Sequence, residues 1–347
     1  MIQNFTAPFP LCTSAALRLL PALIWFLLPL SLGSPNARIL VVGGSGRVGG
    51  SATRALAQRF PSSRVDVAGR SQATWEQCRA RWRLDDRIGF VPLDINRDGD
   101  VRRVVADYDV IVHTAGPFQG SRDPKLLREA LSLGRKYVDV CDDVPLSAIC
   151  RSQEFQDLAR WNRGSAVIST GIWPGVSSLL AQQVIRSDAV GGHANVDKVT
   201  FSFFTAGSGG AGPTILTATF LILGEDVITY ADGQRVLKKS ATDPRMVNFG
   251  RGIGKREVVR LSLIECESCH LSGVKTVETF FGTAPPFWNT LFAVMAQVIP
   301  QSWLQNRQLM ANFALFSLPM VRLIDSFVGA ANGASNIPIN VICSYLK

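Results

Sequence analysis

Arg38-Ile-Leu-Val-Val-Gly-Gly-Ser-Gly-Arg-Val-Gly-Gly50 decides the fold of the first half of the chain. After its first residue, Arg38 to Val42 is apolar and mostly β-branched, as a short buried strand should be. Glycines follow at once, and Ser51 to Arg59 then sets Ala and Leu at helical spacing. Glycines alone occur in any tight turn, but strand, glycine turn and helix in this order are the context of a dinucleotide fingerprint. Gly44-Ser-Gly-Arg-Val-Gly49 fits that pattern. Gly44 makes the tight turn, Gly46 lets backbone approach a pyrophosphate, and Gly49 lets helix pack on strand. The helix start offers unpaired N–H groups to phosphate, with Ser45, Arg47 and Val48 completing the candidate contact set.

The next strand, Val65 to Ala68, runs into Gly69-Arg70-Ser71. An NAD site commonly ends this strand in a carboxylate that accepts from the ribose hydroxyls and would repel a 2′-phosphate. Here the position offers Arg70 and Ser71, which suit a phosphate dianion, and Asp66 stands too early in the strand to replace the acid. NADP(H) is therefore the expected cofactor. The alternation continues with strand Gly89–Asp94, its terminal Asp94 placed for the adenine side, then helix 98–107 and the buried strand Asp109–Thr114. Ala115, Gly116, Pro117 and Phe118 turn out of that strand, at the edge where open α/β sheets bind ligands. Helix Pro124–Leu133, strand Tyr137–Cys141, helix Ser152–Trp161 and strand Ala166–Ser169 follow. The expected class is α/β: a Rossmann-type doubly wound parallel sheet over 38–180, then a second α+β domain with a mixed sheet over 181–347.

Composition adds bounds. At 347 residues, 47% hydrophobic and 18% charged, the chain can bury two cores. The net charge of +9 is unevenly spread, with no Asp or Glu before Asp66 and a basic stretch from Arg235 to Arg260. Without a helix-turn-helix, zinc-finger or RNA-binding signature, nucleic acid is not an expected partner. A solvated face is the plainer reading of the stretch, with anionic lipid or phosphorylated ligands as the alternatives. The seven cysteines are odd in number and scattered, so no disulfide framework is expected.

Residues 1–37 read as a targeting segment. Leu19–Leu32 is a fourteen-residue apolar run broken by Pro21, Pro29 and Ser31, too short to cross a bilayer comfortably. Few positive charges precede it, against a secretory signal, whereas the absence of acids suits a plastid (chloroplast) transit peptide. A membrane anchor or secretory routing is the alternative.

The second half is less legible. Asn195–Thr205 alternates as a strand, and Ala206-Gly-Ser-Gly-Gly-Ala-Gly-Pro213 is a glycine loop, read as a connection or lid, before helix Thr214–Leu223. Strands are expected near Glu257–Cys266 and Thr276–Gly282, and apolar helices over Phe287–Val298 and Gln308–Leu323. Those helices are too short to span a bilayer and are expected to cover the sheet, with peripheral membrane contact left open. Cys266-Glu-Ser-Cys269-His270 has the spacing of a haem c attachment, but at the end of an expected strand it is read as coincidence; no zinc set is apparent.

Taken in order, Val41–Gly49, Ala68-Gly-Arg70, Val112-His-Thr-Ala-Gly-Pro-Phe-Gln119, Tyr137-Val-Asp139 with Asp142-Asp143, and Thr170-Gly-Ile-Trp-Pro-Gly-Val-Ser-Ser178 resemble the saccharopine dehydrogenase-like (saccharopine reductase) family, in its plant and algal branch. The resemblance covers about 38–330 and is strongest before residue 180. It implies a two-domain NADP(H)-dependent oxidoreductase acting on a small molecule, with hydride transfer at a C–N bond. It assigns Gly44, Gly46 and Gly49 to the pyrophosphate loop, Arg70 to the 2′-phosphate, and Ala115 to Phe118 to the nicotinamide ribose. Relatives continue into a closing C-terminal segment, so a shortened or alternative product is expected here. A homodimer is left open.

Proton-transfer candidates are few. His113 ends the fourth strand, but a lone His on an apolar strand is more often a core residue. Asp142 and Asp143 follow the fifth strand and could orient a substrate amine or merely cap the next turn. Gly43, Gly46 and Gly49 also fit the looser spacing of extended short-chain dehydrogenases, yet Tyr108, Tyr137, Tyr230 and Tyr345 all lack the lysine four residues on that such enzymes need. A non-catalytic NADP-binding or membrane-peripheral interaction protein is the alternative from another class.

Overall fold

The structure, a computed structural model, describes residues 36–97, 99–186, 196–206, 212–332 and 339–344. Residues 1–35 of the expected targeting segment, most of the glycine loop after Ala206 and the stretch 333–338 lie outside the described residues, while Ala37 is buried and accepts from the Arg64 N–H at 3.0 Å. The chain divides between Ile172 and Trp173 into two compact units.

In the first unit β1 (Arg38–Val42), β2 (Arg64–Gly69), β3 (Gly89–Pro92), β4 (Val110–His113), β5 (Lys136–Asp139) and β6 (Ser165–Val167) form one sheet in the order β3-β2-β1-β4-β5-β6. Every pairing in it is parallel. The continuous apolar run of β1 is explained by burial on both faces. Ile39 and Val41 pack with Val65, Val67, Leu56 and Trp75, beneath α1 (Arg47–Arg59) and α2 (Gln72–Trp82). Leu40 and Val42 face the opposite layer with Val104, Leu127, Leu131 and Phe155, from α3 (Asp100–Val105), α4 (Lys125–Ser132) and α6 (Gln153–Asn162). Period-two alternation thus sends successive residues to two helical layers, which is the doubly wound arrangement. Helices α2 and α5 (Val144–Cys150) were not anticipated; α5 starts with Asp143 as N-cap and a proline in its first turn.

The second unit begins with α7 (Val176–Ile185), which lends Ala181 and Ile185 to the core around Val199, Phe201 and Phe203 and so sets the division ahead of residue 180. Its sheet is mixed. β7 (Lys198–Ala206) and β12 (Thr276–Ala284) run parallel over nine residue pairs, and the remaining pairings are antiparallel. Among the described residues the path is β10 (Arg245–Asn248), β11 (Lys255–Arg260), β12, β7, β13 (Ile339–Ser344). A hairpin of β8 (Val227–Ala231) and β9 (Gln234–Lys238) joins through β8 and β12. Helices α8 (Pro213–Leu223), α10 (Phe287–Val298), α11 (Gln301–Leu304) and α12 (Arg307–Asn332) share a core built on Phe220, Leu223, Val259, Leu261, Met295, Leu304, Met310 and Ala314.

Two expectations for this unit change. The strand expected to reach Cys266 ends at Arg260, and Cys266 to His270 lie in α9 (Glu265–Leu271). There both thiols are buried and the His270 ring stacks on Tyr230 with centroids 3.6 Å apart, so the haem-like spacing serves packing. The basic stretch is a solvated face only in part: Arg235, Lys238, Lys239, Arg251, Lys255 and Arg256 are exposed, but Arg245 and Arg260 are not. Arg260 is buried, donates to Glu278 at 2.9 Å and pairs with Asp243, while Arg245 lies over the Phe280 ring at 3.7 Å. Among the described residues no helix is long and apolar enough to cross a membrane, and no cluster suited to a metal ion occurs.

Candidate functional site

In a parallel sheet every strand ends at the same edge, so five strand-end segments of the first unit line one rim. The rim order is Asp94 beyond β3, Arg70 and Ser71 beyond β2, the glycine turn beyond β1, Ala115 to Phe118 beyond β4, and Asp142 and Asp143 beyond β5. Sheet topology thereby gathers the residues singled out from the sequence.

The glycine turn sits at the centre of the rim. Gly43 has φ +81°, and a Cβ there would lie 2.7 Å from the backbone of Ala115. Its N–H donates to the Ala68 carbonyl at 2.8 Å, tying β1 to β2 at the point of exit. Sequence reasoning assigned Gly43 only to the rival spacing, yet it takes the left-handed conformation that brings the turn against the β4 segment. A Cβ on Gly44 would meet Val67 at 2.7 Å, and one on Gly49 would lie 2.3 Å from the Gly43 carbonyl oxygen. Gly46 is less crowded, its nearest neighbour being the same oxygen at 3.2 Å. Gly44 and Gly49 are thus demanded by packing inside the protein, whereas Gly46 is exposed at the lip with Arg47 and Val48. Cys78 of α2 braces the turn from below, its thiol donating to the Gly44 carbonyl at 3.4 Å.

This turn fits a pyrophosphate. α1 begins after Gly46 with no side-chain cap and no acid in its first turn, so its leading N–H groups face the rim without a competing carboxylate. Ser45 has a buried hydroxyl with no hydrogen-bond partner among the described residues, and it lies beside Gly69 at the end of β2. Arg70, the next residue after Gly69, is exposed. Asp66 is remote from this chemistry: it is buried within β2, accepting from Tyr108 Oη at 2.7 Å, Arg64 Nε at 2.7 Å and the Gly89 N–H at 3.1 Å. Ser71 caps α2, its oxygen accepting from the Thr74 N–H at 3.3 Å. Asp94 closes a local turn by accepting from the Asn96 N–H at 3.0 Å.

The remaining candidates separate by environment. Register places His113 beside Val42 and Asp139 within the sheet. Its Nδ1 lies 2.8 Å from Tyr137 Oη and its ring meets Phe118 edge-on at 5.0 Å. Burial lowers its pKa to about 4, so at neutral pH the ring is uncharged, and its Nε2 is buried without a hydrogen-bond partner among the described residues. Asp143 is also structural. Its Oδ1 accepts from the Leu146 N–H at 2.6 Å, capping α5, while Oδ2 accepts from the Gly120 N–H at 3.2 Å and anchors the loop after β4. The core reading of His113 and the capping reading of Asp143 are the ones these contacts fit.

Asp142 differs, being partly exposed on the rim. Burial raises its pKa to about 6; the Gln119 carboxamide opposes that rise and the neighbouring Asp143 and Asp139 charges reinforce it. A carboxyl so placed can hold or release a proton near neutral pH. Asp139, fully inside the sheet, is likewise raised to about 6, chiefly by burial, but it is engaged by the N–H groups of Ser169 at 2.7 Å and Cys141 at 3.1 Å.

The parallel sheet and its glycine turn are similar to a known domain. Residues 39–168 match the saccharopine dehydrogenase NADP binding domain. The match begins inside β1 and ends just beyond β6, so it covers the whole parallel sheet. Among solved structures the chain is similar to apo saccharopine dehydrogenase (L-Glu forming) from Saccharomyces cerevisiae, at 16% identity and a TM-score of 0.51. That similarity covers 71% of this chain and 55% of the yeast one, so the chain spans little more than half the length of that protein. Weaker likenesses include the WlbA dehydrogenase from Chromobacterium violaceum, at 13% identity over 73% of this chain and 70% of that one with a TM-score of 0.40. Another is the Gre2–NADPH complex from Candida albicans, at 16% identity over 30% and 36% of the two chains with a TM-score of 0.25. Comparison with curated protein sequences returned no match.

Proposed function

We propose that the chain is an NADP(H)-dependent oxidoreductase that moves hydride at a C–N bond of a small molecule. The observation that carries the reading is the pairing of a glycine turn closed to any Cβ at Gly44 and Gly49 with a β2 end that bears Arg70 and no carboxylate. The match of residues 39–168 to an NADP binding domain supports the same cofactor.

In this reading the N–H groups at the start of α1 and the backbone at Gly46 hold the pyrophosphate, and Arg70 with Ser45 meets the 2′-phosphate. Ala115 to Phe118 place the nicotinamide ribose. The bound cofactor supplies the hydride. Asp142 is the protein group suited to hold a proton for the nitrogen of a substrate imine or amine, because its carboxyl titrates near neutrality at the rim.

Substrate-dependent NADPH oxidation, screened over amine and carbonyl pairs, tests the activity. One observation favours the alternative of a non-catalytic NADP-binding protein: Asp143 is committed to capping α5 and to the Gly120 N–H. NADPH binding without turnover over such a screen would support that alternative.

A further inference from the structure

The helical layer of the second unit carries an apolar surface that its own core does not use. On α12, Met310, Ala314, Ser317 and Val321 face inward. Leu309, Phe313, Phe316, Met320 and Leu323 recur at steps of four, three, four and three residues; Phe313 packs in part on Phe220, with ring centroids 4.9 Å apart, and the others are exposed, Phe316 at 82%. Helix α10 repeats the arrangement, with Met295 in the shared core and Phe287, Leu291, Val294 and Val298 exposed, the last at 73%. Between the two helices Trp303 is 61% exposed. Steps of three and four keep each set on one helical face, so both helices are apolar outward as well as inward. Isolated exposed apolar residues are ordinary, but rows on adjoining elements mark an interaction surface.

Charge indicates the occupant. From Thr279 to Ile324 there is no Asp, Glu, Lys, His, Tyr or Cys, and Arg307 and Arg322 are the only ionisable side chains. A surface that is apolar and flanked by arginines complements an anionic lipid interface, where phosphates receive the guanidinium groups and acyl chains receive the Phe and Leu rows. An exposed Trp between the helices suits the headgroup level. On α12 the exposed neighbours of the row are Gln308, Asn312, Leu315 and Pro319 with Arg307 and Arg322, so its charges up to Ile324 are of one sign and a second copy would bring arginine towards arginine.

We propose that the outer face of α10, α11 and α12 docks in the plane of an anionic membrane surface without crossing it. The test is co-sedimentation of the full chain with vesicles of phosphatidylcholine alone or mixed with phosphatidylglycerol, alongside the double variant Phe316→Glu, Leu323→Glu. Both side chains are exposed, so the variant keeps its fold, and an unchanged melting temperature checks this. The expected result is binding that rises with phosphatidylglycerol and falls about tenfold or more in the variant. Equal binding by variant and wild type would overturn the proposal by placing membrane affinity elsewhere, for example in Leu19–Leu32. Absence of vesicle binding would overturn it too. So would a wild-type dimer in sedimentation equilibrium that the double substitution dissociates, because the face would then belong to a second copy.

Discussion

Gly49 lies so close to Gly43 that a side chain on the first would strike the carbonyl oxygen of the second at 2.3 Å and Thr114 Oγ1 at 2.6 Å. The first turn of α1, the exit of β1 and the exit of β4 therefore meet at one point, and the glycine turn takes its shape from backbone against backbone.

That contact separates two glycines with one motif but different duties. Gly49→Ala forces backbone apart and should cost about 1–3 kcal/mol of stability, read as a lower urea midpoint. Gly46→Ala has extended backbone at φ −79°, ψ 178° and a nearest neighbour at 3.2 Å, so its stability should change by less than about 1 kcal/mol. Its NADPH affinity should still fall about tenfold or more, because a Cβ occupies the approach to the pyrophosphate. Paired denaturation and binding curves check both halves.

Asp142 and Asp143 are neighbours with opposite expected phenotypes. Asp143→Asn weakens the cap of α5 and the tether to Gly120, and should cost about 1–3 kcal/mol. Asp142→Asn should leave NADPH binding intact and abolish any transition near pH 6 in the pH profile of turnover. Its stability profile has a definite sign. A carboxyl raised from 3.8 to about 6 contributes stability below its unfolded pKa that is lost as pH rises through 6. Relative to wild type, the asparagine variant should therefore gain stability between pH 4 and 6.

His113 titrates in the opposite sense. Its folded pKa of about 4 lies below the ordinary 6.5, so its contribution is present at neutral pH and is lost as pH falls from 6.5 towards 4. Its imidazole proton resonances should stay in the neutral form down to pH 5. A midpoint near 6.5 would show that the ring is solvated and would restore it as a proton carrier.

The first unit was legible because each signal there is local. An apolar run buried on both faces, a glycine turn and a helix start lie within thirteen consecutive residues, and parallel topology fixes the rest of the rim. The capping role of Asp143 is legible, its partner Leu146 being three residues on, but its tether to Gly120 and the bond of His113 to Tyr137 are not, since those groups lie more than twenty residues away. The hairpin of β8 and β9 was overlooked although it carries a signal: Asp232 and Gly233 have φ of 50° and 82°, the two positive values an Asp-Gly hairpin turn requires. The helix over Cys266 was misread because Leu261-Ser-Leu-Ile-Glu-Cys266 alternates like a strand while its backbone turns into α9.

Calorimetric titration of the full chain with NADPH and with NADH, repeated on Arg70→Asp, tests the central claim most directly. NADPH should bind wild type at least about tenfold more tightly than NADH, and the exposed Arg70 should be replaceable without loss of fold. In the variant NADPH affinity should drop about 10- to 100-fold while NADH affinity holds or rises. Equal affinities in wild type, or an NADPH preference untouched by Arg70→Asp, would contradict the account of the β2 end as a 2′-phosphate site.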